Sequence, residues 1–226
     1  MHESHNIEAA HRLSEPAERI PTERWVEVLE IVEVFLLAVV AVTTAWSGYQ
    51  AAKWDGHQSF DYGEASRLRV EADAAATLGG QQKLVDVSTF NTWIQAEQAG
   101  NKELAALYMR RFSPEYHVAF EAWLKTDPFK SPNAPPGPSF MPEYHNPKTE
   151  QAAHLNAEAA KVFDEGTESR DTADRYVRQT VLLATVLFLI AVAQRFRVRG
   201  VRIAADVVAV TLMIFAIAGV LVLPRI

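Results

Sequence analysis

Charge is nearly absent from three stretches of the chain, residues 34–46, 181–193 and 203–223, while residues 51–178 carry 33 charged side chains. A helix needs roughly 20 apolar residues to cross ~30 Å of hydrocarbon. With their flanks, these stretches predict membrane spans at about 29–49, 178–195 and 203–223. The first is entered through an interfacial segment, so residues 23–50 form one unit of the reading. Trp46, Tyr49 and Trp54 gather at its far end, as aromatic side chains do at a bilayer interface. Pro224 stops the third span, leaving 224–226 outside it.

Between spans one and two, residues 51–177 have helical patterning. In 63–78, Ala65, Leu68, Ala72 and Ala75 recur at intervals of three, four and three, the seam of a packed helix. Gly79-Gly80 predicts a break. A second helix is expected to run through Leu84, Val87, Phe90, Trp93 and Ile94. Gly100 suits a helix C′ position and Asn101 an N-cap, opening a short helix that carries Leu104, Leu107 and Tyr108. Ser113-Pro114-Glu115 reads as another helix start, with Phe120 and Trp123 facing inward. Residues 127–147 hold seven prolines and predict an extended loop. Asn146-Pro147 then starts a helix that continues into span two. The two arms flanking this region would be about 44 and 46 Å long at 1.5 Å per residue. An antiparallel helical stalk is expected, with the proline-rich loop near its far end. Its alanine seam suits close association, and a homo-oligomer is the economical expectation.

Charge placement predicts an orientation. The connection 196–202 and its flank hold Arg195, Arg197, Arg199 and Arg202 and no acid, which marks the cytoplasmic side. The tail 1–22, expected to be disordered, is then cytoplasmic, and 51–177 and the C-terminus lie outside. The first apolar run follows an acidic leader without a basic n-region, so it reads as a retained span. The net charge of −6 argues against nucleic acid as a partner. The chain has no cysteine, which excludes disulfides and thiolate chemistry.

Chemistry concentrates at the ends of the spans. Glu23, Glu27 and Glu30 share a helical face, with Glu33 part-way round, and Thr44 and Ser47 continue near the side of Glu33. Three readings stand open. The acids can be interfacial and solvated. They can ring the cytoplasmic mouth of an oligomeric cation path. Or Glu33 or Glu30 can pair with Arg202 or Arg195 as structural glue. Asp206, one turn into span three, can pair with Arg202 at i,i+4 or join the acidic layer as a cation site. The ion-path candidates are therefore Glu27, Glu30, Glu33, Thr44, Ser47 and Asp206. Trp46, Tyr49, Trp54 and the four arginines are the interface candidates. Ala205, Ala209, Ala216 and Gly219 would let span three approach a neighbour closely.

The remaining motifs are weaker. His2 and His5 lack metal-ligand spacing, and His57, His117, His145 and His154 are scattered, so no metal site and no cofactor are expected. The word Pro-Glu-Tyr-His occurs twice, at 114–117 and 142–145; the settings differ, and it reads as coincidence. No nucleophile elbow, phosphate loop or paired-carboxylate pattern occurs, so no enzyme is expected.

Trp46, Tyr49, Gln50 and Ala51 form a W-x-x-Y-Q-A-like word at the outer end of span one. It resembles a word in uncharacterised bacterial three-span inner-membrane proteins. The resemblance implies a bacterial inner-membrane address and no activity. The expected fold is an all-α integral membrane protein with three transmembrane helices and a helical extracytoplasmic stalk and head between spans one and two. Two functions follow: a homo-oligomeric cation-permeable channel or ion-transport assembly lined by span one, or a non-conducting scaffold or sensor whose outer domain binds an envelope partner through the proline-rich loop.

Overall fold

The computed structural model describes residues 24–196 and 198–226; Glu23, Arg197 and the tail 1–22 lie outside the described residues. The order is α1 (Arg24–Gln98), α2 (Lys102–Met109), α3 (Pro114–Leu124), a 3-10 turn (Pro138–Phe140), α4 (Pro147–Ala193) and α5 (Arg199–Val222), with no strand among the described residues. Three of these helices, α1, α4 and α5, are long and apolar enough to cross a membrane. The chain divides into two compact units. The span unit holds residues 24–53 and Thr172–Ile226, and the inserted unit holds Trp54–Asp171. Both α1 and α4 contribute to each.

Local chemistry explains the helix boundaries. After α1, Gly100 adopts φ +70, the left-handed conformation that glycine accepts without a Cβ penalty. Asn101 then caps α2, its side chain accepting a hydrogen bond from Leu104 N at 3.1 Å. Ser113 caps α3 by accepting from Tyr116 N, with Pro114 at the first helical position. Asn146 Oδ1 caps α4, accepting from Lys148 N and Thr149 N, both at 3.0 Å. The expected break at Gly79-Gly80 does not occur: α1 runs through it. Gly79 is instead a point of close approach. A Cβ there would lie 2.6 Å from Thr149 Oγ1, and Asn146 Nδ2 donates to the Gly79 carbonyl. Two helical glycines weaken α1 by about 1 kcal/mol each relative to alanine. The contact with the start of α4 is what Gly79 permits in return.

Within the inserted unit α1 and α4 run antiparallel. Tyr62 stacks on Phe163 at 4.9 Å, its hydroxyl lies 3.3 Å from Thr167 Oγ1, and Gly166 leaves room for its ring. Further along, Gly79 meets Asn146 and Thr149. The predicted seam Ala65, Leu68, Ala72 and Ala75 is buried, as are Ala152 and Ala159 on α4. The chain thus covers its own alanine seam. An aromatic core forms where α1, α2 and α3 meet: Phe90, Trp93, Phe112, Tyr116, Phe120 and Trp123, with Ala96 and Ala105. Trp93 and Phe120 pack edge to face at 4.6 Å, a preferred aromatic geometry. Leu84 is 71% exposed, and Leu104 and Leu107 also face outward; Ala105 takes the inner position of α2. The proline-rich loop is part of this core rather than free of it. Trp123 Nε1 donates to Pro135 O at 2.7 Å, Phe90 lies against Gly137, and Pro138 is buried.

The span unit packs on a near-heptad register. Its buried residues include Glu33, Val40 and Ser47 on α1, Tyr176, Leu183 and Ile190 on α4, and Ala209, Met213, Ala216 and Val220 on α5. Intervals of seven, or of four and three, keep one face of each helix toward its neighbours. Ala209 and Ala216 are buried as the small-residue pattern predicts, and Gly219 makes room for the Gln179 amide. Phe35, Val42, Phe188, Phe215 and Val222 point outward.

Candidate functional site

Two polar sites stand out, one in each unit. In the span unit, Arg202 and Glu33 form a bidentate pair. Arg202 Nε donates to Glu33 Oε1 at 2.9 Å, and Nη2 donates to Oε1 at 2.7 Å and Oε2 at 2.8 Å. The Glu33 side chain is 5% exposed and that of Arg202 19%. Planar guanidinium and carboxylate match in two parallel bonds, the strongest ion-pair geometry available to side chains. Burial makes each charge dependent on the other, since an uncompensated ion in an apolar setting is costly. Arg202, read above as an interface residue, is therefore turned inward. Asp206 follows one turn later on α5, within electrostatic reach of both. Its Oδ1 is buried and accepts no hydrogen bond, so Arg202 serves Glu33 in preference to its own i,i+4 neighbour.

The other ion-path candidates are spread along α1. Glu27 and Glu30 are exposed. Thr44 Oγ1 donates back to Val40 O at 2.7 Å, and Ser47 Oγ donates to Tyr176 O at 3.0 Å. Of the whole set, Glu33 and Asp206 come together; Thr44 and Ser47 lie about three and four turns further along α1. Gln50, which the sequence argument left without a role beyond its motif, is buried and accepts from Ile226 N at 3.3 Å. Tyr176 donates its hydroxyl to Pro224 O. Trp46 and Tyr49 are half exposed with rings 5.9 Å apart, and Trp54 lies near His57. Arg195 and Arg199 are exposed.

The second site lies in the inserted unit and was not foreseen. A cleft of about 530 Å³ is bounded by one face of α1 and by the starts of α3 and α4. On its wall Asp86 is 5% exposed. Its Oδ2 accepts hydrogen bonds from the Ser113 hydroxyl at 3.1 Å and the Tyr144 hydroxyl at 3.3 Å. Tyr144 in turn packs edge to face with Tyr116 at 5.5 Å. These are the tyrosines of the two Pro-Glu-Tyr-His words. The two words thus meet ring to ring, and of their two tyrosine hydroxyls that of Tyr144 bonds Asp86 while that of Tyr116 does not. Burial, reinforced by the nearby Asp86 charge, pushes the Tyr116 phenol up to about 12 and raises that of Tyr144. Ser139 faces the Tyr116 hydroxyl without meeting hydrogen-bond geometry.

The fold and these sites define a class: among the described residues, an all-helical arrangement with three helices fit to cross a membrane and a helical unit between the first two. The chain matches no protein-family model, no curated protein and no solved structure.

Proposed function

We propose that this protein is a multi-pass protein of the bacterial inner membrane that acts as a non-conducting scaffold or sensor. The inserted unit is extracytoplasmic and binds an envelope partner. One observation carries the reading: Glu33, the acid best placed to serve an ion path, is held bidentately by Arg202 of the same chain. Ser47 and Gln50 are likewise engaged inside the chain, and Thr44 bonds its own helix. Side chains satisfied in this way give a hydrated ion little to coordinate. The inner-membrane address draws on the W-x-x-Y-Q-A-like word, and the orientation draws on the arginine-rich connection near 195–202. A reporter fused at Ile226 should be exported; cytoplasmic reporter activity there would reverse the orientation.

Docking is tested from the outer side of the proline-rich region, where Phe129 and Phe140 are 54% and 70% exposed. A photo-crosslinker at position 129 should give one discrete adduct in cells, lost on Phe140→Asp. Adducts indifferent to Phe140 would remove this face from the proposal. Deleting the loop is uninformative, because it supports the aromatic core.

A second reading, a homo-oligomeric cation-permeable assembly, draws on Asp206, whose Oδ1 accepts no hydrogen bond. Planar bilayers holding the purified protein separate the two. Silence supports the scaffold, while cation currents altered by Glu30→Gln or Asp206→Asn would replace it with the channel.

A further inference from the structure

The cleft of the inserted unit keeps opposite charges apart. Asp86 and Glu115 line it, and so do Arg111 and Lys148. None of the four belongs to an ion pair within 4.0 Å among the described residues. Arg111 lies over the Tyr108 ring, and Lys148 Nζ donates to the neutral Gln151 amide. Asp86 is the most constrained of them. It is 5% exposed, and its two hydrogen bonds, both from neutral hydroxyls, fall on one oxygen, Oδ2. A carboxylate taken so far out of water without a cation is costly. Two carboxylates and two cations facing one cavity, unpaired with one another, are compensated together by a molecule that carries both signs. The volume of about 530 Å³ lies within the range of small-molecule sites.

We infer that this cleft binds a small zwitterion, with its primary ammonium at Asp86 and its carboxylate between Arg111 and Lys148. The ammonium has three donors for Asp86 and Glu115 to share, and the guanidinium can grip the carboxylate by two parallel bonds. Free amino acids and dipeptides both present this chemistry. The inference rests on the reading of the inserted unit as a binding module, and gives that module a ligand.

Calorimetric titration of the full chain in lipid nanodiscs tests it. The probes are glycine, alanine, glutamate and glycylglycine, with butylamine and butyrate carrying one charge each. At least one zwitterion should bind saturably, about tenfold or more tighter than either single-charge analogue. Asp86→Asn keeps an acceptor for Ser113 and Tyr144 and should weaken that binding about tenfold or more. Arg111→Gln with Lys148→Gln should do the same for the zwitterion and spare butylamine. This pair keeps the test open should Asp86→Asn fail to fold. Preference for amino acids or for glycylglycine identifies the source. Absence of saturable zwitterion binding, equal binding of butylamine, or zwitterion binding unchanged in folded Asp86→Asn or in the Arg111/Lys148 double variant overturns the inference. If the position-129 adduct persists while zwitterions do not bind, the ligand is wrong and the binding module stands. If zwitterions bind and no adduct forms, the partner is wrong and the ligand stands.

Discussion

The two units sort their residues in opposite senses. The inserted unit buries rings and, Asp86 apart, leaves charge outside: Phe90, Trp93, Tyr116, Phe120 and Trp123 are inside, while Arg67 bonds Glu64 and Glu71 on the surface. The span unit keeps its ion pair and buried Ser47 and Gln50 inside and turns Phe35, Val42, Phe188, Phe215 and Val222 outward. An outward apolar surface is costly in water and costs nothing in lipid. The contrast teaches what specifies each unit. In hydrocarbon, apolar contact does little to tell one helix pairing from another, so polar pairs and small residues set the register. In water, the aromatic core supplies both cohesion and geometry.

The largest effect should come from removing one partner of the span-unit ion pair. Arg202→Gln leaves Glu33 buried without its counter-charge, which in buried pairs costs about 3–5 kcal/mol. Hydrogen–deuterium exchange resolves the two units, and protection should fall in 33–53 and 176–222 while the inserted unit keeps its own. The double variant Glu33→Gln with Arg202→Gln should recover much of the loss, because no lone charge remains. Unchanged exchange in Arg202→Gln would deny the pair its specifying role. Its counterpart is Phe120→Ala in the aromatic core. Truncating a buried aromatic costs about 3 kcal/mol or more, and here protection should fall in α2 and α3 while the span unit is unmoved. Losses spread over both units would break the comparison.

Much of this architecture was legible in the sequence because it rests on periodicity and on local caps. Spans appear as charge-free runs, Ala65 to Ala75 as a seam, and Asn101, Ser113 and Asn146 as caps, each a property of neighbouring residues. The pairing of Glu33 with Arg202 stood among three open readings, since 169 residues separate them and spacing cannot choose between them. Asp86 was invisible for the same reason: it is one charge on a charged helix until Ser113 and Tyr144 are brought to it. Leu84 faces solvent because a helix with core on one stretch and solvent on the next does not bury every apolar residue its period offers. Gly79-Gly80 was misread because the glycine signal for a break and for close approach is identical in one dimension.

That ambiguity gives the next sharpest test, since the two glycines are adjacent and their surroundings differ. A Cβ at Gly79 would meet Thr149 Oγ1 at 2.6 Å and Thr149 N at 3.0 Å, whereas at Gly80 nothing lies within 4 Å. Gly79→Ala should therefore destabilise the α1–α4 contact by about 1–3 kcal/mol, as overpacking does. Gly80→Ala should stabilise α1 by up to about 1 kcal/mol through helix propensity alone. Opposite signs in thermal melts would establish close approach at one position. Equal effects would return the pair to the role of a helix weakness.

The smallest effect separates shape from polarity inside the aromatic core. The Tyr116 hydroxyl is buried and accepts or donates no hydrogen bond, and burial pushes its phenol from 10.0 up to about 12. The unfolded chain ionises at the lower value, so between the two it holds fewer protons than the folded chain. The contribution of this group is thus complete below about pH 10 and is lost as pH rises through about 12. Tyr116→Phe removes the ionisable group while keeping the ring against Phe90, Phe112 and Tyr144. At neutral pH the variant should match or slightly exceed the parent, because an unsatisfied buried hydroxyl is replaced by apolar volume. Above pH 10 its stability should decline less steeply than that of the parent. Parallel declines would mean that Tyr116 takes no part in the alkaline transition. A marked loss at neutral pH would mean that the hydroxyl has a partner in solution, and that polarity helps specify the inserted unit as well as the span unit.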